Sequence, residues 1–194
     1  MKNFLIRKLF FGVLLIIFSF ITMTQNSNAS GFADIFKSRP PEPPIYVPFD
    51  ITKKGNKAEM TFRLKKDTGC VFGISFKYKE GDRGDKDRVR NLTGTQGRGR
   101  HDAHGNYFDV PPEKPGIPTP IRLKIFFIID NQFELIFDQG FEPVLGSWGA
   151  NTLTKIVKDI LLKPGIYKAE IESLRDSPEL IGEKIEFEVI NPKR

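Results

Sequence analysis

Leu162-Lys163-Pro164-Gly165-Ile166-Tyr167-Lys168-Ala169-Glu170-Ile171-Glu172-Ser173 is the stretch whose reading decides the fold. Pro164-Gly165 makes a turn. After it Tyr167, Ala169, Ile171 and Ser173 recur with period two, and charged residues fill the places between. Such alternation buries one face of a strand and wets the other, as antiparallel sheets require. A tyrosine at the start of a late strand can bond back to the backbone of the preceding connection, forming the corner of immunoglobulin-like and fibronectin-like sandwiches. Tyr167, Pro164 and Gly165 are therefore the structural residues expected to form that corner. The plainer alternative is an ordinary turn followed by an ordinary core tyrosine.

The same period runs outward in both directions. Ile45, Val47, Phe49 and Ile51 alternate, as do Ala58, Met60, Phe62 and Leu64, and then Phe72, Ile74, Phe76 and Tyr78. Ile121 to Ile129 alternates, and Phe133, Leu135 and Phe137 follow a turn at Asp130-Asn131. Ile185, Phe187 and Val189 close the series. Seven or eight such runs separated by turn residues predict an all-β, antiparallel two-sheet sandwich of immunoglobulin-like or fibronectin-like type. Thr152–Leu162 fits either a helical face or a strand, and the topology favours a strand. One short helix is expected over 82–92, where acids precede bases in the sense the helix dipole prefers and Gly94 can stop it. Val89 and Leu92 would face the sheet.

The N-terminus has a different character. Lys2, Arg7 and Lys8 precede an apolar run from Leu9 to Met23, and small residues surround Ala29. Residues 1–29 thus read as a cleavable signal peptide, and the domain is expected in the periplasm or outside the cell. An uncleaved anchor is the alternative, although the run is short for a span. After cleavage no membrane span is expected. Residues 30–44 read as a proline-rich tether, and 45–194 as the sandwich.

The leader holds three basic residues and no acid, so 30 Lys and Arg become 27 against 24 acids, and the net charge falls from +6 to +3. No basic block tracks a phosphate backbone, so nucleic acid is not an expected partner. Cys70 is the one cysteine. No intramolecular disulfide can form, and a thiol that opens an apolar strand is expected in the core. A Cys–His pair would have to use His101 or His104, both in a glycine-rich stretch.

That stretch, 94–120, carries five glycines and then five prolines. Long loops of this kind are often functional, and the alternative is a tolerated, mobile insertion. Arg98, Arg100, Tyr107 and Phe108 are its candidate contact residues, since Arg and Tyr are common at binding hot spots. Trp148, the sole tryptophan, lies between Ser147 and Gly149 and is either a recognition residue or a packed aromatic. His101, Asp102 and His104 are the metal candidates. No third histidine frames them, so no metal or other cofactor is expected. Asp82, Asp85 and Asp87 are interleaved with Arg83, Lys86 and Arg88, which would repel a calcium ion. Gly146-Ser147-Trp148-Gly149 lacks the Gly-x-Ser-x-Gly spacing of a nucleophile elbow, and no catalytic residue is assigned.

Several segments taken together carry a resemblance. They are Phe76-Lys77-Tyr78-Lys79-Glu80-Gly81-Asp82, Asp87-Arg88-Val89-Arg90, Pro115-Gly116-Ile117-Pro118 with Ile121-Arg122-Leu123-Lys124, Ser147-Trp148-Gly149, the Leu162–Tyr167 turn, and Glu172–Leu180. Over residues 45–190 the chain resembles a family of exported proteobacterial domains of unknown function. The resemblance implies a β-sandwich and a periplasmic setting like that of immunity proteins, and it supplies no catalytic residues. The expected function is a non-enzymatic protein-binding module whose partner is another protein, most concretely a secreted toxin or effector. The competing expectations are a structural, envelope-associated protein and a metal-dependent enzyme using His101 and His104.

Overall fold

A computed structural model describes residues 39–95, 98–101, 107–110 and 114–191. The signal-peptide reading of 1–29 and the tether from 30 to 38 lie outside the described residues. The elements in chain order are β1 (Ile45–Pro48), β2 (Lys57–Leu64), β3 (Thr68–Lys77), helix α1 (Arg83–Thr93), β4 (Arg98–His101) and β5 (Tyr107–Val110). Then come β6 (Ile121–Ile129), β7 (Gln132–Phe141), β8 (Val144–Trp148), β9 (Thr152–Leu162), β10 (Gly165–Ser173), a 3-10 turn at Pro178–Leu180, and β11 (Ile185–Ile190). Thr152–Leu162 is a strand along its whole length. Among the described residues no helix is long and apolar enough to cross a membrane.

Two antiparallel sheets result, one ordered β1-β11-β3-β9-β8 and the other β2-β10-β6-β7, beside a separate β4-β5 hairpin. In immunoglobulin sandwiches strands B, E and D share one sheet and F, C and C′ the other, with A beside B and G beside F. Here β3-β9-β8 take the B-E-D places and β10-β6-β7 take the F-C-C′ places. The outer places are exchanged. The last strand, β11, pairs with β3 where A would lie, and the early strand β2 pairs with β10 where G would lie. The first strand, β1, pairs with the last, β11, so both ends of the described domain lie in the five-stranded sheet.

The corner is present. Tyr167 stands at the start of β10, in the F place, and its hydroxyl donates to the Lys163 carbonyl at 2.8 Å. Its ring stacks on Phe62 at 5.5 Å and tilts against Phe127 at 5.1 Å, while Phe62 reaches Phe72 of the facing sheet at 6.2 Å. The turn must leave room for this. A Cβ on Gly165 would strike the Phe127 ring. Cys70 is fully buried, and desolvation, with Asp159 adding to it, pushes its thiol up to about 11. Tyr167→Phe deletes one buried hydrogen bond and keeps the ring. Urea unfolding is expected to show a loss of about 1 kcal/mol, and an unchanged midpoint would remove the corner from the stability account.

Three strand readings need correction. First, β1 ends at Pro48, although Phe49 and Ile51 beyond it are still buried. Second, Phe133 and Leu135 do not share a face with Phe137. Ile125 pairs with Phe137 and Phe126 with Leu135, so Ile136 is an extra residue that reverses the phase of β7. A bulge does this whatever the alternation in the sequence promises. Third, Ile129, expected in the core, is 45% exposed. The last tether residues are also fixed to the domain: the Arg63 amide donates to the Pro41 carbonyl at 2.9 Å, and Glu42 binds the Arg63 guanidinium at 2.9 Å.

Candidate functional site

The helix leads directly into the stretch singled out from the sequence. Asp82 caps α1 by accepting the Asp85 amide at 3.0 Å, and Val89 is buried against the sheets with Leu92 partly so, as expected. Asp85 is not a calcium ligand in waiting. It accepts the Lys79 amide at 2.7 Å and Arg88 at 3.0 Å, which hold its carboxyl below the usual range. After Thr93 the chain turns at Gly94, with φ of 89°.

Gly94 meets Gly116 there, and the two backbones touch. A Cβ on Gly94 would lie 2.5 Å from the Pro115 carbonyl carbon, and one on Gly116 would lie 2.6 Å from the Leu92 oxygen. Both residues have φ in the left-handed region, 89° and 73°, where glycine is favoured. Hydrogen bonds seal the contact. The Thr95 amide donates to the Lys114 carbonyl at 2.7 Å, the Lys114 amide to the Thr95 hydroxyl at 3.1 Å, and the Ile117 amide to the Leu92 carbonyl at 2.7 Å. Thr95 and Lys114 are therefore held side by side at a closed neck.

A buried cation supports the neck from beneath. Lys155, on β9, is only 1% exposed. Its ammonium donates to the Ile117 carbonyl at 2.7 Å and the Thr119 hydroxyl at 3.1 Å. Glu142 accepts the Thr119 amide at 2.7 Å. Burial disfavours the charged amine, and Glu142 offsets this only in part, so its pKa falls to about 8. The native amine loses its proton near pH 8, while the unfolded one holds it to about 10.5. Between these values the unfolded chain binds more protons, so this group makes stability rise with pH. The stability of the wild type minus that of Lys155→Met should therefore climb from pH 7.5 to about 10. Cys70 titrates in both proteins and cancels. A flat difference would show that Lys155 is not desolvated.

Beyond the neck the expectation of an irregular loop is overturned: β4 and β5 form an antiparallel ladder. Arg98 stands opposite Val110, Arg100 opposite Phe108, and His101 opposite Tyr107. Four candidate contact residues, Arg98, Arg100, Tyr107 and Phe108, are thus carried by one hairpin. Trp148 is elsewhere, on β8 opposite Leu153. Asp102 and His104 lie outside the described residues. Among the described residues no group of three or more His, Cys, Asp or Glu could hold a metal ion.

Sequence reasoning passed over a second polar feature, on the outer face of the five-stranded sheet. Gly73 leaves a gap in that face, and Glu188 folds into it: a Cβ on Gly73 would meet Glu188 Oε1 at 3.2 Å. Ser75 donates to the Glu188 carboxylate and lies 2.9 Å from the Thr154 hydroxyl. Desolvation raises the Glu188 pKa against the effect of these bonds. Tyr46, Lys77, Ser147 and Glu186 line the adjoining depression of about 360 Å³. Lys77 binds Glu186 at 2.6 Å. Because Ser75 is fully buried and donates to Glu188, it is a brace between β3 and β11 and not an accessible nucleophile. Glu188 alternates with Phe187 and Val189, so nothing in its own strand marks it as buried. Lys155 did carry a signal, since it is in phase with Leu153 and Val157.

A family model described as a domain of unknown function, DUF5625, matches residues 46–191. A solved crystal structure of a protein from Sulfurospirillum deleyianum is similar in fold, with a TM-score of 0.62 and 23% identity over 78% of this chain and 99% of that one. No curated protein matches the chain.

Proposed function

We propose that this chain, which belongs to the DUF5625 family of domains of unknown function, is a non-enzymatic protein-binding module acting outside the cytoplasm. In its most concrete form it is an immunity protein that occludes the active site of a secreted antibacterial effector. The closed neck at Gly94 and Gly116 carries this reading. Neither of the two large sheets includes β4 or β5, which pair with each other among the described residues. What they contain is Arg98, Arg100, Tyr107 and Phe108, residue types that anchor protein interfaces. A rigid mount limits the conformational entropy that such a hairpin loses on binding. The signal-like leader supplies the compartment.

The test uses cells that export an effector from the same genetic neighbourhood. Expression of the full chain should protect them, and a variant with Arg98, Arg100 and Tyr107 all changed to Ala should not, although it is exported and folded. If deleting the gene leaves cells no more sensitive to attack by sister cells, the immunity reading fails. If protection persists in the triple variant, the hairpin is not the binding surface.

A further inference from the structure

We propose that the depression on the outer face of the five-stranded sheet binds the ammonium end of an aliphatic amine, with Glu186 and Glu188 holding the charge and the Tyr46 ring covering the stem. The site goes beyond the reading of the β4–β5 hairpin and rests on different elements. A polar row crosses the whole sheet there. Tyr46 stands opposite Glu188, Glu186 opposite Ser75, Ser75 opposite Thr154, and Thr154 opposite Ser147. Polar residues on the outer face of a sandwich are ordinarily wet. Here Ser75 is 0% exposed, Thr154 4% and Glu188 5%. The row is sunk, and the depression of about 360 Å³ beside it is within the range of small-molecule sites.

The charges in this site do not cancel. Lys77 binds Glu186 Oε1 at 2.6 Å and answers one carboxylate. Glu188 is held by the Ser75 and Thr154 hydroxyls and makes no ion pair among the described residues. Burial, with Glu186 adding to it, keeps the Glu188 carboxyl above its usual range. Two carboxylates against one ammonium leave one negative charge in a sunken site, where an unanswered charge is costly. A second observation marks the same place. Glu186 Oε2 is buried and has no hydrogen-bond partner, although buried polar atoms nearly always find one. A cation in the depression answers both the spare charge and the orphaned oxygen.

The walls select an amine. Tyr46 is 50% exposed, and after desolvation the charges of Glu188 and Glu186 raise its pKa, so the phenol sits within reach of both carboxylates. An aromatic ring attracts a cation on its face and covers an alkyl stem. Ile190 adds apolar surface to the same depression. Two carboxylates with a lysine between the strands offer too few ligands for a metal ion, and no group of three or more His, Cys, Asp or Glu stands among the described residues. The far wall is fixed before anything binds. The Tyr78 hydroxyl donates to the Ala150 carbonyl at 3.0 Å and pins the β8–β9 turn.

Titration calorimetry of the purified protein with cadaverine, with the amide of α-N-acetyl-lysine and with uncharged pentanol tests this. The amines should bind and pentanol should not. Tighter binding of cadaverine assigns the site to a free amine, and tighter binding of the lysine derivative assigns it to the side chain of a protein. Glu188→Gln and Glu186→Gln keep the shape of the site and remove a charge, and each should weaken amine binding at least about tenfold. Glu134→Gln, which removes an exposed carboxylate from the other sheet, should bind as wild type does. Thermal melts should confirm that the variants fold, and Glu186, the less buried of the pair, decides the matter if Glu188→Gln does not. The proposal is overturned if neither amine binds, or if pentanol binds as tightly as the amines. It is also overturned if folded Glu188→Gln or Glu186→Gln binds the amines undiminished.

Discussion

Replacing Gly116 by alanine is expected to destabilise the domain by about 3 kcal/mol. Two costs combine. The residue has φ of 73°, which a Cβ resists, and that Cβ would run into the backbone of Thr93 and Gly94. Backbone atoms cannot swing aside as a long side chain can, so the neck itself must open. Gly182→Ala supplies the control. It has φ of 86° and nothing within 4 Å of a new Cβ, so only the conformational cost of about 1 kcal/mol applies. Denaturant midpoints of the two variants separate the terms. Equal losses would mean that the contact between Gly94 and Gly116 does not hold the neck.

Phe62→Ala should cost more, about 4 kcal/mol, seen as a fall in melting temperature of about 12 °C. Phe62 is fully buried on β2 and bridges Tyr167 of its own sheet and Phe72 of the other. β2 occupies the place that the last strand holds in an immunoglobulin sandwich, so its removal from the core would loosen β10 and, with it, the Tyr167 corner. A loss below about 1 kcal/mol would show that the site collapses around the gap and that the exchanged strand contributes little.

The strands that one sheet face dictates were legible from alternation alone: Ala58 to Leu64, Ile121 to Ile125, Tyr167 to Ser173, Ile185 to Val189. The corner was legible because Pro164, Gly165 and Tyr167 carry a local geometric meaning. What escaped was set by partners far away in sequence. The exchange of β2 and β11 depends on which strands lie adjacent, and period two is silent on that. The bulge at Ile136 inserts one residue into a run in which Phe133, Leu135 and Phe137 read as one unbroken alternation. The hairpin at 98–110 hides among glycines that suit a loop as well as a turn. The neck was not legible, because the meeting of Gly94 with Gly116 spans the whole insert. Glu188 was invisible for a related reason. Its burial comes from Gly73 and Thr154 on neighbouring strands.

Under the proposed function, the two sheets fold without residues 96–113 and the hairpin serves a partner. Joining Thr95 to Lys114 through a short glycine-containing turn, in place of residues 96–113, and recording thermal unfolding beside protection against the exported effector tests this most directly. The expected result is a melting temperature within about 4 °C of wild type together with complete loss of protection. A protein that fails to fold without the insert, or one that still protects, would contradict it.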